Sequence, residues 1–344
     1  MVKVTSYMPQ MLFEARGGVI PPGWEINFAP YVDEDGVIEA CKGADFLMVT
    51  AANPPVTAKI LENIGSVKHL QVFGAGFDKV DLEAAKKVNL SVSNTPALNA
   101  TTVAEYTVGV LVLLQRKIFV SNRALKAGDE GDMQKSYIMG NIPEIMGTKV
   151  GLVGLGAIGK WTAKYLTIMG AQVSYFDIFR ADPSVEKEFG LTFTSFEDLL
   201  ANNDVISVHC PLNDDTRDLI NKKEFALMKK GALLINSARG EIVNSDALAE
   251  ALESGHLGGA AVDHFGAAGD SFWKAEGEKE EKPAHPLLSL SPEADDRFIA
   301  TTHMAGVTAP AFARMLVSAM DNMKRVAAGD DPQNVVNGVL KARK

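Results

Sequence analysis

VGLVGLGAIG, residues Val150–Gly159, is the stretch that decides the fold. The apolar run Lys149–Val153 ends in three glycines spaced Gly154-x-Gly156-x-x-Gly159, and a helical pattern follows through Ala157 and Ile158. The first glycine permits a tight turn, the second lets a pyrophosphate approach the backbone, and the third lets helix and strand pack closely. The N-terminus of the helix then faces the phosphates. Glycine-rich turns also arise for local reasons, so the context matters. Here a strand precedes, a helix follows, and the next apolar run, VSYFD, ends in Asp177 about 20 residues on, as the motif asks. A carboxylate there accepts hydrogen bonds from both adenine-ribose hydroxyls and repels a 2′-phosphate, which favours NAD over NADP. Arg180, close by, softens that exclusion.

Outward from this motif, short apolar runs alternate with amphipathic stretches, the pattern of parallel strands joined by crossover helices. Downstream strands are expected at Val173–Phe176, Asp204–Val208, Ala232–Asn236, Gly259–Val262 and Phe298–Thr301. With Lys149–Val153 these make six strands of a doubly wound, Rossmann-type sheet. Upstream, Val2–Met8, Asp45–Thr50, Leu70–Phe73 and Leu90–Ser93 read as strands, with helices at Pro55–Ile64 and Leu82–Lys87. A long apolar-rich helix from Thr101 to Lys126 bridges the two parts, and a last helix covers Ala309–Ala328. The expected organisation is a dinucleotide-binding α/β domain over residues 100–304 and a smaller, flavodoxin-like α/β substrate domain. The smaller domain is discontinuous, residues 1–99 with 305–344. Gly266–Asp296, charged and broken by prolines, reads as an extended surface loop.

With 344 residues, 47% of them hydrophobic, the chain can build two cores. A net charge of -9 argues against nucleic acid or anionic membrane as the main partner. The N-terminus lacks an apolar run after a basic start, and no stretch approaches 18 uninterrupted apolar residues, so neither a signal peptide nor a membrane span is expected. The two cysteines, Cys41 and Cys210, fit neither a disulfide framework nor a metal site, and a reducing cytoplasm is the simpler reading.

Several long segments in order carry a resemblance. They are VFGAGFDKVDLEAA, NTPALNATTVAEYTVGVLVLLQR, the GLGAIG turn, DVISVHCPL, LLINSARGEIVNSDALAEALESGHLGGAAVD and TTHMAGVT. Over nearly its whole length the chain resembles the D-isomer-specific 2-hydroxyacid dehydrogenases. The resemblance implies hydride exchange between a nicotinamide and the 2-carbon of a small 2-hydroxy or 2-oxo acid, in a cleft between domains. Arg239 would be the catalytic arginine, a permanent planar cation whose forked donors hold a carboxylate and polarise a carbonyl. His303 would be the general acid/base, its ordinary pKa of roughly 6.5 lying near working pH. Gly74, Ala75 and Gly76 match a turn whose amides hold the substrate carboxylate, and Asn99 borders the same pocket. Asp263 matches the residue that receives the nicotinamide carboxamide. His209, Cys210, Pro211, Ser237, Ala238 and Ala305, with His303, complete the cofactor contacts. His69, His256 and His285 have no such context and read as structural.

The pattern breaks at one place. The family completes a relay to its histidine with a glutamate at the position that here is Ala268. The insertion Gly266–Pro283 offers Asp270, Glu276, Glu278, Glu280 and Glu281 as replacements. His264 is another proton group, although neighbours on a strand point to opposite faces. Val72 and Phe73 stand where the phosphoglycerate enzymes carry an arginine, which disfavours a phosphorylated substrate. The competing readings are an NAD-sensing protein like the co-repressors of this fold, to which Ala268 lends some footing, and a phosphite or formate dehydrogenase. A homodimer is implied, with the helix from Thr101 offering the surface.

Overall fold

Runs such as Phe46–Thr50 and His69–Phe73 are buried on both faces, as strands in the middle of a parallel sheet must be. The computed structural model of the protein describes residues 1–30, 33–50, 53–140, 142–264 and 285–343. Among these, the chain divides into two units, Met1–Asn99 with Val307–Lys344, and Ala100–Gly306.

The first unit holds five parallel strands: β1 (Val2–Ser6), β2 (Trp24–Phe28), β3 (Phe46–Thr50), β4 (His69–Phe73) and β5 (Ser91–Ser93). Their order, β2-β1-β3-β4-β5, is that of the flavodoxin-like sheet. One face is covered by helices Glu34–Ala40, Ala58–Asn63 and Leu82–Lys87, through Val37, Ile60, Leu61 and Ala85. The other is covered by Phe13 and by the C-terminal helix Ala309–Ala327, whose Met315, Leu316, Met320 and Met323 pack on Val4, Phe46 and Met48. Thr308 caps that helix and Pro310 lies in its first turn, where the missing N–H costs nothing. The tail then ties itself to β5: the Asn337 side chain donates to Leu90 O and accepts from Val92 N.

The second unit holds seven parallel strands: β6 (Lys149–Val153), β7 (Gln172–Phe176), β8 (Thr192–Phe193), β9 (Val205–Val208), β10 (Leu233–Asn236), β11 (Gly259–Val262) and β12 (Phe298–Ala300). The order is β12-β11-β10-β9-β6-β7-β8. β6 pairs with both β7 and β9, so the connections diverge beside it, and the crevice at its carboxyl end is where such sheets take ligands.

The structure departs from the sequence reading in several elements. β2 and the two-residue β8 were not expected; β2 is a short edge strand whose alternation (WEINF) includes Glu25 and Asn27. The helix from Thr101 is not continuous. It stops at Gln115, Lys117 turns into the left-handed region at φ 46°, and a second helix runs Ile118–Ala127. A further helix, Glu130–Met139, follows. Not all of Gly266–Asp296 is irregular, because Pro286–Leu288 and Pro292–Asp295 are helical and Glu253 anchors Ser291 through its amide and hydroxyl. The junction after β12 falls at Gly306 rather than Met304, since the amides of Met304 and Ala305 are tied into the second unit.

His69 lies fully buried in β4, with Nδ1 against the Ser91 hydroxyl at 2.8 Å and Phe46 packed against the ring. Burial pushes its pKa down from 6.5 to about 4. The folded state therefore prefers neutral imidazole while the unfolded chain gains a proton below about 6.5. Stability is full above that value and falls by up to roughly 3 kcal/mol as pH drops toward 4. Chemical denaturation at pH 7.5 and 4.5 should show this loss, and His69→Asn should flatten it. An equal slope in wild type and variant would contradict the assignment.

Candidate active site

The glycine turn has the local geometry its spacing implies. Gly154 sits at φ 100°, and a Cβ there would lie 2.8 Å from the Cys210 amide nitrogen. A Cβ on Gly159 would meet Gly154 O at 2.4 Å, so helix Ala157–Ile168 can approach β6 only with glycine there. A Cβ on Gly156 would meet open space, at the start of a helix whose first amides point outward. That opening, bounded by two tightly packed glycines, fits a cofactor phosphate.

Asp177 follows β7. Its carboxylate accepts from Leu155 N in the glycine turn at 2.8 Å and from Phe179 N at 3.1 Å. Phe176 O accepts from Gly154 N, so the acid and the turn form one hydrogen-bonded piece. Behind them, His209 N donates to Val153 O, and the imidazole Nε2 lies 2.9 Å from the Ser207 hydroxyl. Burial pushes the His209 pKa down to about 4 and the Cys210 thiol up to about 11. Both groups are therefore neutral near pH 7. Pro211 O accepts from the Thr216 hydroxyl, closing the loop beyond.

The two residues assigned to the chemistry leave the carboxyl ends of β10 and β12, which flank β11. Arg239 follows β10 and precedes the 3₁₀ turn Gly240–Ile242. The turn is shaped by Asn236, whose side chain accepts from Ala238 N and donates to Arg239 O. Ser237 lies 3.2 Å from the Thr107 hydroxyl, and Arg239 Nη1 donates to Ala238 O.

Asp263 follows β11 and is 1% exposed. Its amide donates to Asn236 O and its carbonyl accepts from His303 N at 2.6 Å. Its carboxylate accepts from the Thr301 hydroxyl and the amides of Met304 and Ala305. Thr301 has one proton and gives it to Asp263, so the Tyr106 hydroxyl, 2.6 Å away, donates to Thr301. Burial raises the Asp263 pKa, and these donors oppose that rise. His303 itself sits in the left-handed region at φ 53°, a conformation this net of bonds holds in place.

His264 is 5% exposed, and its ring meets that of His303 edge-on with centroids 4.3 Å apart. The sequence argument against it relied on strand alternation, but β11 ends at Val262 and both Asp263 and His264 lie beyond it. Ala268 and the acids Asp270, Glu276, Glu278, Glu280 and Glu281 lie outside the described residues.

In the first unit, Gly74 follows β4 at φ 127°. Its amide donates to the Thr95 hydroxyl and its carbonyl accepts from Thr95 N; Asn94 donates to Ala75 O. Gly76 continues the turn, and Asn99 closes the unit's first segment. Sequence reasoning missed Asn236, Thr301 and Tyr106. The first lay in plain view within LLINSARG, whereas no local signal marked the other two.

Asp263→Asn keeps the shape but turns an N–H toward one of the donors. We expect a loss of ~2 kcal/mol in the unfolding free energy of the second unit. Turnover should fall as the His303 turn loosens, and an unchanged unfolding midpoint would contradict the role given to Asp263.

Comparison with known proteins agrees with this geometry. The family model described as D-isomer specific 2-hydroxyacid dehydrogenase, NAD binding domain, matches residues 108–305. A glyoxylate reductase of Thermofilum pendens is 34% identical over 290 residues, 84% of this chain and 80% of that protein. A D-3-phosphoglycerate dehydrogenase of Mycobacterium leprae is 32% identical over 92% of this chain, which spans only 56% of that relative. The crystal structure of a D-lactate dehydrogenase from Treponema pallidum superposes with a TM-score of 0.78 at 26% identity, covering 98% of this chain and 99% of the other. The chain belongs to the D-isomer-specific 2-hydroxyacid dehydrogenase family, and it is an NAD-dependent oxidoreductase acting on the CH–OH group of 2-hydroxy acids.

Proposed function

We propose that the chain interconverts a small, non-phosphorylated 2-oxo acid and its D-2-hydroxy acid, with Arg239 and His303 carrying the substrate chemistry. The observation that carries this reading is the hydrogen-bonded train Arg239–Asn236–Asp263–His303, which fixes both residues at one edge of the sheet. Bound NAD supplies or accepts the hydride. The Arg239 guanidinium holds the substrate carboxylate and draws electron density from the carbonyl oxygen, as a permanently charged fork can. His303 gives a proton to that oxygen during reduction and takes it back during oxidation. The ring of His264, edge-on to that of His303, orients it, a role the family gives to a carboxylate. Gly154, Gly156 and Gly159 receive the pyrophosphate, Asp177 the ribose hydroxyls, and the loops at His209–Pro211 and Ser237–Ala238 border the nicotinamide half. Because Gly74 N is committed to Thr95, the amides of Ala75 and Gly76 hold the substrate in the first unit, with Asn99 at the rim.

The substrate class rests on what precedes that turn. Val72 and Phe73 are 1% and 4% exposed, and Phe73 packs on Phe312, so neither offers a charge to a phosphate. Relatives named glyoxylate reductase are in keeping with this reading, while others named D-3-phosphoglycerate dehydrogenase match the chain at similar identity. A second copy of the chain completes the assembly. Within the stretch Thr101–Lys126 that its sequence suggested as the dimer surface, helix Ala100–Gln115 buries Val110 and Leu111 in the core of its own unit. The next two helices instead expose Phe119, Leu125, Ile138 and Met139. No described helix is long and apolar enough to cross a membrane, and Cys41 and Cys210 are unpaired, in keeping with a reducing cytoplasm.

Oxidation of NADH at 340 nm should follow addition of glyoxylate, pyruvate, hydroxypyruvate or a branched 2-oxo acid, with 3-phosphohydroxypyruvate a poor substrate. His303→Ala should lower kcat by about 10²–10⁴-fold. Arg239→Ala should abolish turnover while NADH still binds, and Arg239→Lys should not rescue it, because an ammonium cannot fork. Preference for the phosphorylated acid, or full activity without Arg239, would refute the assignment. Light scattering should give a dimer that Phe119→Glu/Leu125→Glu converts to monomer; an unaltered mass would place the interface elsewhere.

A further inference from the structure

Arg180 stands close behind Asp177 along the chain, and the intervening turn folds round the carboxylate through Phe179 N. A guanidinium in that position is what a 2′-phosphate on the adenine ribose would recruit. In this protein it points elsewhere. Arg180 Nε and Nη2 each donate to a Glu186 oxygen at 2.9 Å, a two-pronged fork. Glu186, in helix Pro183–Phe189, is held in turn by the hydroxyl of Tyr175 at 2.7 Å. That hydroxyl accepts from Ala181 N, and Tyr175 is fully buried in β7. The guanidinium carbon also lies over the Phe193 ring, 5.4 Å from its centre.

Arg180 is more than half exposed although the Glu186 side chain is largely covered, so the fork holds a solvent-facing cation in one direction. We propose that Glu186 is a positioning residue for cofactor choice: by holding Arg180 in the fork, it withholds the cation that would neutralise a 2′-phosphate, so the repulsion from Asp177 stands. Specificity for NAD then comes from an unfavourable term built against the competitor as well as from contacts to the preferred ligand. The inference rests on the reading of Asp177 as the ribose ligand.

Calorimetric titration with adenosine 5′-monophosphate and adenosine 2′,5′-bisphosphate tests it without the nicotinamide or any turnover. Glu186→Gln should bind the bisphosphate about tenfold more tightly than wild type, the gain of a charge-assisted hydrogen bond. Monophosphate affinity should not change. Arg180→Ala/Glu186→Gln should return to the wild-type value, which separates release of the arginine from mere removal of a negative charge. Tyr175→Phe, with both charges kept, should give a smaller gain in the same direction. No gain in Glu186→Gln, or a gain that persists in the double variant, would overturn the clamp, provided Asp177→Ala weakens monophosphate binding. An Asp177→Ala variant that binds the monophosphate as wild type does would overturn the ribose site and this inference with it.

Discussion

The carboxylate of Asp263 is the constraint on which the candidate active site depends. Moving a carboxylate out of water costs several kcal/mol, and only well-placed donors offset it. Thr301 and the amides of Met304 and Ala305 are those donors, and all three come from the segment that carries His303. The arrangement works in both directions. The donors make the buried acid tolerable, and the acid holds a histidine backbone in a conformation it would leave if free. Through Asn236 the same connection reaches the Arg239 turn, so the backbones that carry the guanidinium and the imidazole are hydrogen-bonded together.

The parallel sheet explains why these turns share an edge. Every strand of the second unit runs the same way, so every strand ends on the same side. Residues far apart in sequence, Gly154, Asp177, Arg239, Asp263 and His303, thus emerge along one rim. Packing then sets their spacing: Gly159 lets the helix close on the strand, and Gly156 leaves its own side of the turn open. The opening and the closeness have one cause, the absence of side chains where backbones meet.

The same residue type is put to different uses by its surroundings. Asp177 is half-buried and binds backbone amides of the glycine turn, whereas Asp263 is enclosed and secures a loop. His69 and His209 are kept neutral by burial, one in each unit. His303 stands at the sheet edge against a second imidazole. Surroundings, rather than residue type, set how each of these groups behaves.

Much of this was legible along the chain. The glycine spacing, Asp177 and the strand-end order of Arg239, Asp263 and His303 are local patterns, and local patterns fix turn geometry and strand polarity. Apolar runs likewise marked the central strands, because a strand enclosed on both faces is mostly apolar. The edge strands β2 and β8 escaped, since water on one side lets polar residues in. The break at Lys117 escaped too, because apolar periodicity alone does not show where a helix stops. Three-dimensional packing decided the rest. It brought His264 against His303, linked Tyr106 through Thr301 to Asp263, and turned Arg180 onto Glu186. Each of these depends on the direction a side chain takes once distant strands lie side by side, and nothing in the order of residues along one strand specifies that direction.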